Sequence, residues 1–145
     1  MSSPTVRSLA LLRSTGWTVQ VVEHWNAFSK RRVDLFGCID ILAVKAGAGC
    51  LGVQACVVGD QSKRMKKALA EPRLRAWLEA GNHFEVWGWG KHGKEGARKL
   101  WTVTRRPVTL DADADLVVCA TIDNEGSPKE PPDGQESEAD ADPRN

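Results

Sequence analysis

Asp40 stands inside Cys38-Ile39-Asp40-Ile41-Leu42-Ala43-Val44, an apolar run of strand length. A charge there is costly unless it is paired or bound to a metal. Asp40 is therefore the first candidate metal ligand; a salt bridge to a nearby Arg, or a strand end facing water, accounts for it equally. Gln54 interrupts a second apolar run, Leu51 to Val58. Its amide oxygen can ligate a hard cation without adding negative charge, or can simply hydrogen-bond across a sheet. Cys56 lies two residues on and shares a strand face with Gln54. Glu23 breaks an earlier strand-like run as a further ligand would, and Asp34 opens the segment that leads to Asp40, where it also suits a turn cap. Lys63 and Lys67 are spaced i, i+4 and fall on one face of a following helix, where they bind phosphate or face water.

The elements that must hold these residues follow from periodicity and punctuation. Thr5 to Ser14 places Val6, Leu9 and Leu12 at helical spacing, and Gly16 follows as a cap. Trp17 to Trp25 alternates with β-branched residues and reads as a strand, and Asn26 to Arg32 as a polar, basic loop. Strands near 34–45 and 50–58 flank Ala46-Gly47-Ala48-Gly49 and form a hairpin. Asp60-Gln61-Ser62 offers N-caps for a helix from about Lys63 to Ala80, closed by Gly81 and split near Glu71 by Pro72. His83 to Trp89 and Lys99 to Arg105 form a second hairpin around a loop rich in Gly and Lys. Leu116 to Ile122 can add one short strand.

An Asp before a hairpin turn and two spaced polar residues after it resemble the PD-(D/E)XK nuclease superfamily, in which a Glu-x-Lys follows the turn. Here Gln54 stands in the place of the Glu and Cys56 in the place of the Lys. The likeness spans about residues 5–105 and is to small phage or bacterial proteins of the Holliday-junction-resolvase-like and VRR-NUC-like kinds. It implies an α/β fold with a restriction-endonuclease-like αβββαβ core and a mixed sheet, matching the α-β-β-β-α-β-β order read above. It further implies Asp40, Gln54 and Glu23 as ligands of Mg²⁺, with Mn²⁺ able to substitute, and Asp40, Gln54, Cys56 and Lys63 as the catalytic set. Lys63 is included because some relatives carry the missing cation on the helix that follows. The implied substrate is double-stranded or branched DNA, with Arg31, Arg32, Arg64, Lys66 and Lys67 on its phosphates.

Charge is divided along the chain. Residues 1–110 hold 18 Lys or Arg against 8 Asp or Glu, and residues 111–145 hold 2 against 11. A basic nuclease-like domain over 1–110 is thus joined to an acidic tail over 111–145. From 123 on the tail has no aromatic or large aliphatic residue, and a composition that cannot bury enough surface to offset ordering is expected to be mostly disordered. A basic domain suits a polyanion. The tail suits either a weak internal competitor of DNA or a solubility segment. No stretch approaches a targeting signal or a membrane span, which leads us to expect a cytoplasmic protein with no membrane partner. The four cysteines, 38, 50, 56 and 119, show no zinc spacing with His24, His83 or His92 and read as free, small hydrophobes. Trp87, Trp89 and Trp101, beside Lys91, Lys94, Arg98 and Lys99, fit stacked unpaired bases, core packing or a homodimer contact. The readings are then a metal-dependent, DNA-binding nuclease-like protein with impaired catalysis, a catalytically inactive DNA-binding module, or a protein-interaction factor on the same fold.

Overall fold

Helix α1 (Pro4–Ser14) begins where the Ser3 side chain accepts from the Val6 N–H at 3.2 Å and Pro4 fills the first turn. Both devices satisfy or remove N–H groups that the first turn leaves without helical partners. Gly16, at φ +93°, takes the left-handed turn into the sheet. The structure is a computed structural model and describes residues 2–122; the tail expected over 123–145 lies outside the described residues.

The strands are β1 (Thr18–Val21), β2 (His24–Asn26), β3 (Arg31–Val33), β4 (Ile41–Lys45), β5 (Gly49–Val57), β6 (His83–His92), β7 (Leu100–Leu110) and β8 (Leu116–Val118). Six of them make one mixed sheet in the order β1-β4-β5-β6-β7-β8, and β2 and β3 pair only with each other. Among the described residues only the β5–β6 pair is parallel. A parallel neighbour needs a crossover connection. It is supplied by a 3₁₀ turn (Val58–Asp60), helix α2 (Gln61–Leu69) and helix α3 (Pro72–Glu79). With the β2–β3 hairpin set aside, the order through β6 is α-β-β-β-α-β.

The helices cover both faces. Leu12 of α1 packs with Leu51, Val53, Trp87, Trp89 and Val103 on one side of the sheet. Met65, Ala68 and Leu74 of α2 and α3 pack with Cys56, Phe84 and Val86 on the other. The split at Pro72 is as the sequence indicates: Glu71 caps α3 by accepting from the Arg73 N–H at 3.0 Å.

Several boundaries differ from expectation. The run Trp17–Trp25 is not one strand, because the chain leaves the sheet after Val22 and starts the β2–β3 hairpin. The expected loop 26–32 is the turn and return strand of that hairpin. The expected strand over 34–45 begins only at Ile41. Before it, Phe36 (φ 53°) and Gly37 (φ 74°) fold the chain so that Leu35 bridges Ile39. The Trp87 and Trp89 rings belong to the core beneath α1, not to a surface stack. At the far edge β8 pairs with β7, so the sheet continues past residue 110, and Ile122 bridges Arg105.

Candidate metal centre

The register of the β4–β5 hairpin aligns the site. Lys45 pairs with Gly49 and Ile41 with Val53, where the ladder ends; the Asp40 N–H donates to the same Val53 carbonyl at 2.9 Å, and its side chain is left to meet Gln54 and Ala55. On its other side, the Val22 N–H donates to the Asp40 carbonyl at 2.9 Å, the last rung before β1 departs. The departing hairpin begins just after Glu23 and returns at Asp34. Its two ends therefore carry an acid each to the mouth of the β1-β4-β5 ladder. Carboxylate oxygens of Glu23, Asp34 and Asp40 lie within 4.8 Å of one another.

Asp40 is 4 % exposed and Gln54 1 %. Asp40 Oδ2 accepts from Gln54 Nε2 at 2.6 Å and from the Ala55 N–H at 3.0 Å. Those contacts use the amide nitrogen of Gln54 and leave its Oε1 buried with no hydrogen-bond partner. A buried carbonyl oxygen without a donor forfeits its hydration, and an oxygen-seeking cation would restore it. Burial, a hydrogen bond that the protonated Asp40 carboxyl donates to Asp34, and the nearby charges of Asp34 and Glu23 push the Asp40 carboxyl up to about 8, against the Ala55 N–H, which favours ionisation. Three carboxylates this close cannot all ionise at low cost, so Asp40 holds a proton where a cation would otherwise sit. Glu23 is partly balanced by Arg32, at 3.4 Å on the exposed side.

The donor set fits a hard divalent cation. It offers three carboxylates, ligands that Mg²⁺ and Mn²⁺ prefer, and no sulfur or imidazole, with the Gln54 side chain joined to it through its amide nitrogen on Asp40. Cys56 adds nothing to it. Its thiol is buried and donates to the Trp87 carbonyl at 3.5 Å. Burial, the largest cause, pushes it up to about 11, so it is neutral and neither a cation nor a thiolate.

The expected catalytic and phosphate-binding residues distribute unevenly. Asp40, Gln54 and Glu23 come together, joined by Asp34, whose side chain reaches the cluster although its position also suits a turn cap. Lys63 does not reach into that hydrogen-bonded group; it is exposed on the first turn of α2 and lines a pocket with Asp60, Arg64 and Lys67. Arg64 is half-buried on the same turn and its charge is felt by Cys56. Because α2 starts directly after β5, this basic turn lies at the same end of the sheet as Gln54. Lys66 and Lys67 are exposed further along α2, and Arg31 and Arg32 are exposed on β3.

Sequence reasoning missed Gln61. Read as part of an N-cap triplet, it is instead buried, and its Nε2 donates to the carbonyls of Val86 (3.0 Å) and Thr104 (2.7 Å). It thereby pins the start of α2 onto β6 and β7. Gly88 makes room for it, since a Cβ there would come within 2.8 Å of the Gln61 amide. All four cysteines are free. No family model matches this chain, and neither does any curated protein or solved structure. Among the described residues no helix is long and apolar enough to cross a membrane.

Proposed function

We propose that this chain is a DNA-binding protein of the PD-(D/E)XK nuclease-like kind, with a restriction-endonuclease-like core, whose Glu23, Asp34 and Asp40 hold Mg²⁺ or Mn²⁺ at a weakened phosphodiesterase site. The observation that carries this reading is the carboxylate cluster beside the orphaned Gln54 oxygen, at the place where β1, β4 and β5 meet. The element order supports it, as does the basic turn of α2 at the same end of the sheet. Bound there, the cation would polarise the scissile phosphate and lower the pKa of an attacking water. The chain's own part is to orient the carboxylates through the Ala55 N–H and the Gln54 amide, and to hold phosphate with Lys63, Arg64 and Lys67.

A second reading, a catalytically inactive DNA-binding module on this fold, is favoured by Cys56. A buried neutral thiol replaces the ammonium expected to stabilise the developing charge. Incubating the protein with linear, branched and single-stranded DNA, in Mg²⁺, Mn²⁺ or EDTA, separates the two. Metal-dependent cleavage that Asp40→Asn abolishes, with binding retained, supports the nuclease. Binding without cleavage supports the module. Cleavage that persists in EDTA or in Asp40→Asn rules out this site, and absence of both binding and cleavage ends both readings.

A further inference from the structure

The β2–β3 hairpin stands apart from the main sheet and carries large rings that the core does not use. Phe28 at its tip is 99 % exposed and Trp25 is 59 % exposed. Among the described residues neither ring is paired with another aromatic or with a cation, whereas Trp17, Phe36, Trp87 and Trp101 all have such contacts. Burying rings of this size is ordinarily among the strongest gains available to a small domain. Two left in water on one short ribbon mark a contact surface.

The ribbon's charge states which partner fits. Its segment from His24 to Val33 carries Lys30, Arg31 and Arg32 and no acid. Trp25 lies directly opposite Arg32 in the register, so the two share a face. Glu23, two residues before Trp25, belongs to that face too, as its 3.4 Å contact with Arg32 confirms. One side of the ribbon therefore runs from an exposed ring and a guanidinium straight to a carboxylate of the metal cluster. The tip is presented by a defined turn, in which Asn26 Oδ1 accepts from the N–H groups of Phe28 (2.9 Å) and Ser29 (3.1 Å).

Exposed rings interleaved with cations are how proteins hold unpaired nucleotides: bases stack on the rings and the cations follow the backbone. Paired bases inside a duplex offer no free face to such a ring. We infer that the β2–β3 hairpin, through Trp25, Phe28, Lys30 and Arg31, binds unpaired nucleotides of DNA and leads the adjoining backbone to the acid cluster. This rests on the DNA-binding reading above and adds to it a preference for DNA with single-stranded character. It also moves base stacking from the second hairpin, where Trp87 and Trp89 are buried, to the first.

The test compares the full chain on a blunt duplex and on the same duplex bearing a single-stranded overhang, by fluorescence anisotropy in EDTA. Wild type should bind the overhang about tenfold more tightly, the scale of one stacked base. Trp25→Ala with Phe28→Ala should abolish that preference and leave duplex affinity unchanged, and Phe28→Trp should keep it. Lys30→Gln with Arg31→Gln should weaken both substrates. If the double alanine variant retains the preference, or if wild type binds both substrates equally, the hairpin inference is wrong while DNA binding stands. Loss of self-association without any change in overhang preference overturns it too, and assigns the ribbon to a protein contact. No binding to either substrate overturns this inference together with the reading it rests on.

Discussion

Asp40 joins the chemistry of the site to the stability of the fold. In an unfolded chain its carboxyl releases its proton near pH 4, whereas in the folded protein burial first, and then Asp34 and Glu23, hold the proton until about pH 8. The folded state thus binds more protons than the unfolded state between those limits, and the stability from this group is full below pH 4 and is lost as pH rises through 8. In EDTA the thermal midpoint should therefore fall between pH 5 and pH 8, by on the order of 5 °C. On the proposed metal site a cation would replace the proton, so Mg²⁺ should raise the midpoint more at pH 8 than at pH 5. Asp40→Asn, nearly the same shape and without charge, should flatten both trends. An undiminished response to Mg²⁺ in that variant would remove Asp40 from the metal site. Gln54→Glu extends the argument. A fourth carboxylate in hydrogen-bond reach of Asp40 should lower stability in EDTA by about 1–3 kcal/mol and increase the stabilisation by Mg²⁺. Adding Cys56→Lys supplies the ammonium, and metal-dependent cleavage should rise at least roughly tenfold. A double variant that folds and stays as inactive as wild type shows that residue 56 does not occupy the lysine position.

At the scale of elements, what was legible and what was not divides by whether the signal was local. The Ala46–Gly49 turn fixes the β4–β5 register, and with it brings Asp40, at the end of the ladder, within side-chain reach of Gln54, so that half of the site is legible from a few residues. The other half depends on where β1 stops. Trp17 to Trp25 alternates without a break, and nothing local says that the ladder ends when the Val22 N–H reaches the Asp40 carbonyl. Asn26 and Gly37 were the available turn signals, and reading Asn26 as loop rather than as a hairpin turn hid the ribbon and the role of Asp34. Stacking, core packing and a dimer contact stay open for the tryptophans for another reason: period-two alternation identifies a strand but not whether both of its faces are covered. Here α1 covers Trp89, whose indole N–H donates to Ser8 Oγ at 2.9 Å, while Ser8 Oγ donates to the Pro4 carbonyl at 2.8 Å. Ser8 looks like a surface helix residue and is fully buried. Ser8→Ala leaves the indole N–H buried and unpaired, and should cost about 1–3 kcal/mol in urea unfolding. Trp89→Phe in that background should recover part of the loss. If Ser8→Ala is neutral, the contact does not anchor α1.

The whole molecule is divided by charge, and the fold moves the dividing line. Asp111, Asp113 and Asp115 count with the acidic segment by composition, yet they sit in the β7–β8 connection. There Asp111 Oδ1 accepts from the N–H groups of Asp113 and Asp115, both at 2.9 Å, and Asp115 reaches Arg75 at 3.8 Å. The remaining acidity lies after Ile122, where residues 123–145 hold 8 acidic residues against 2 basic. Joined covalently to a domain with basic groups on α2 and β3, these carboxylates would be at high effective concentration for the surfaces that would take DNA phosphate. They should compete with DNA, and the competition should fade as salt screens both attractions, since the screening length is only about 10 Å at 0.1 M. DNA titrated into the full chain and into a version ending at Ile122 should show the shorter protein binding several-fold more tightly at low salt, with the difference shrinking at moderate salt. Equal affinities at low salt would show that residues 123–145 do not screen the basic face, and would leave the domain's own Lys and Arg residues as the sole electrostatic determinant of binding.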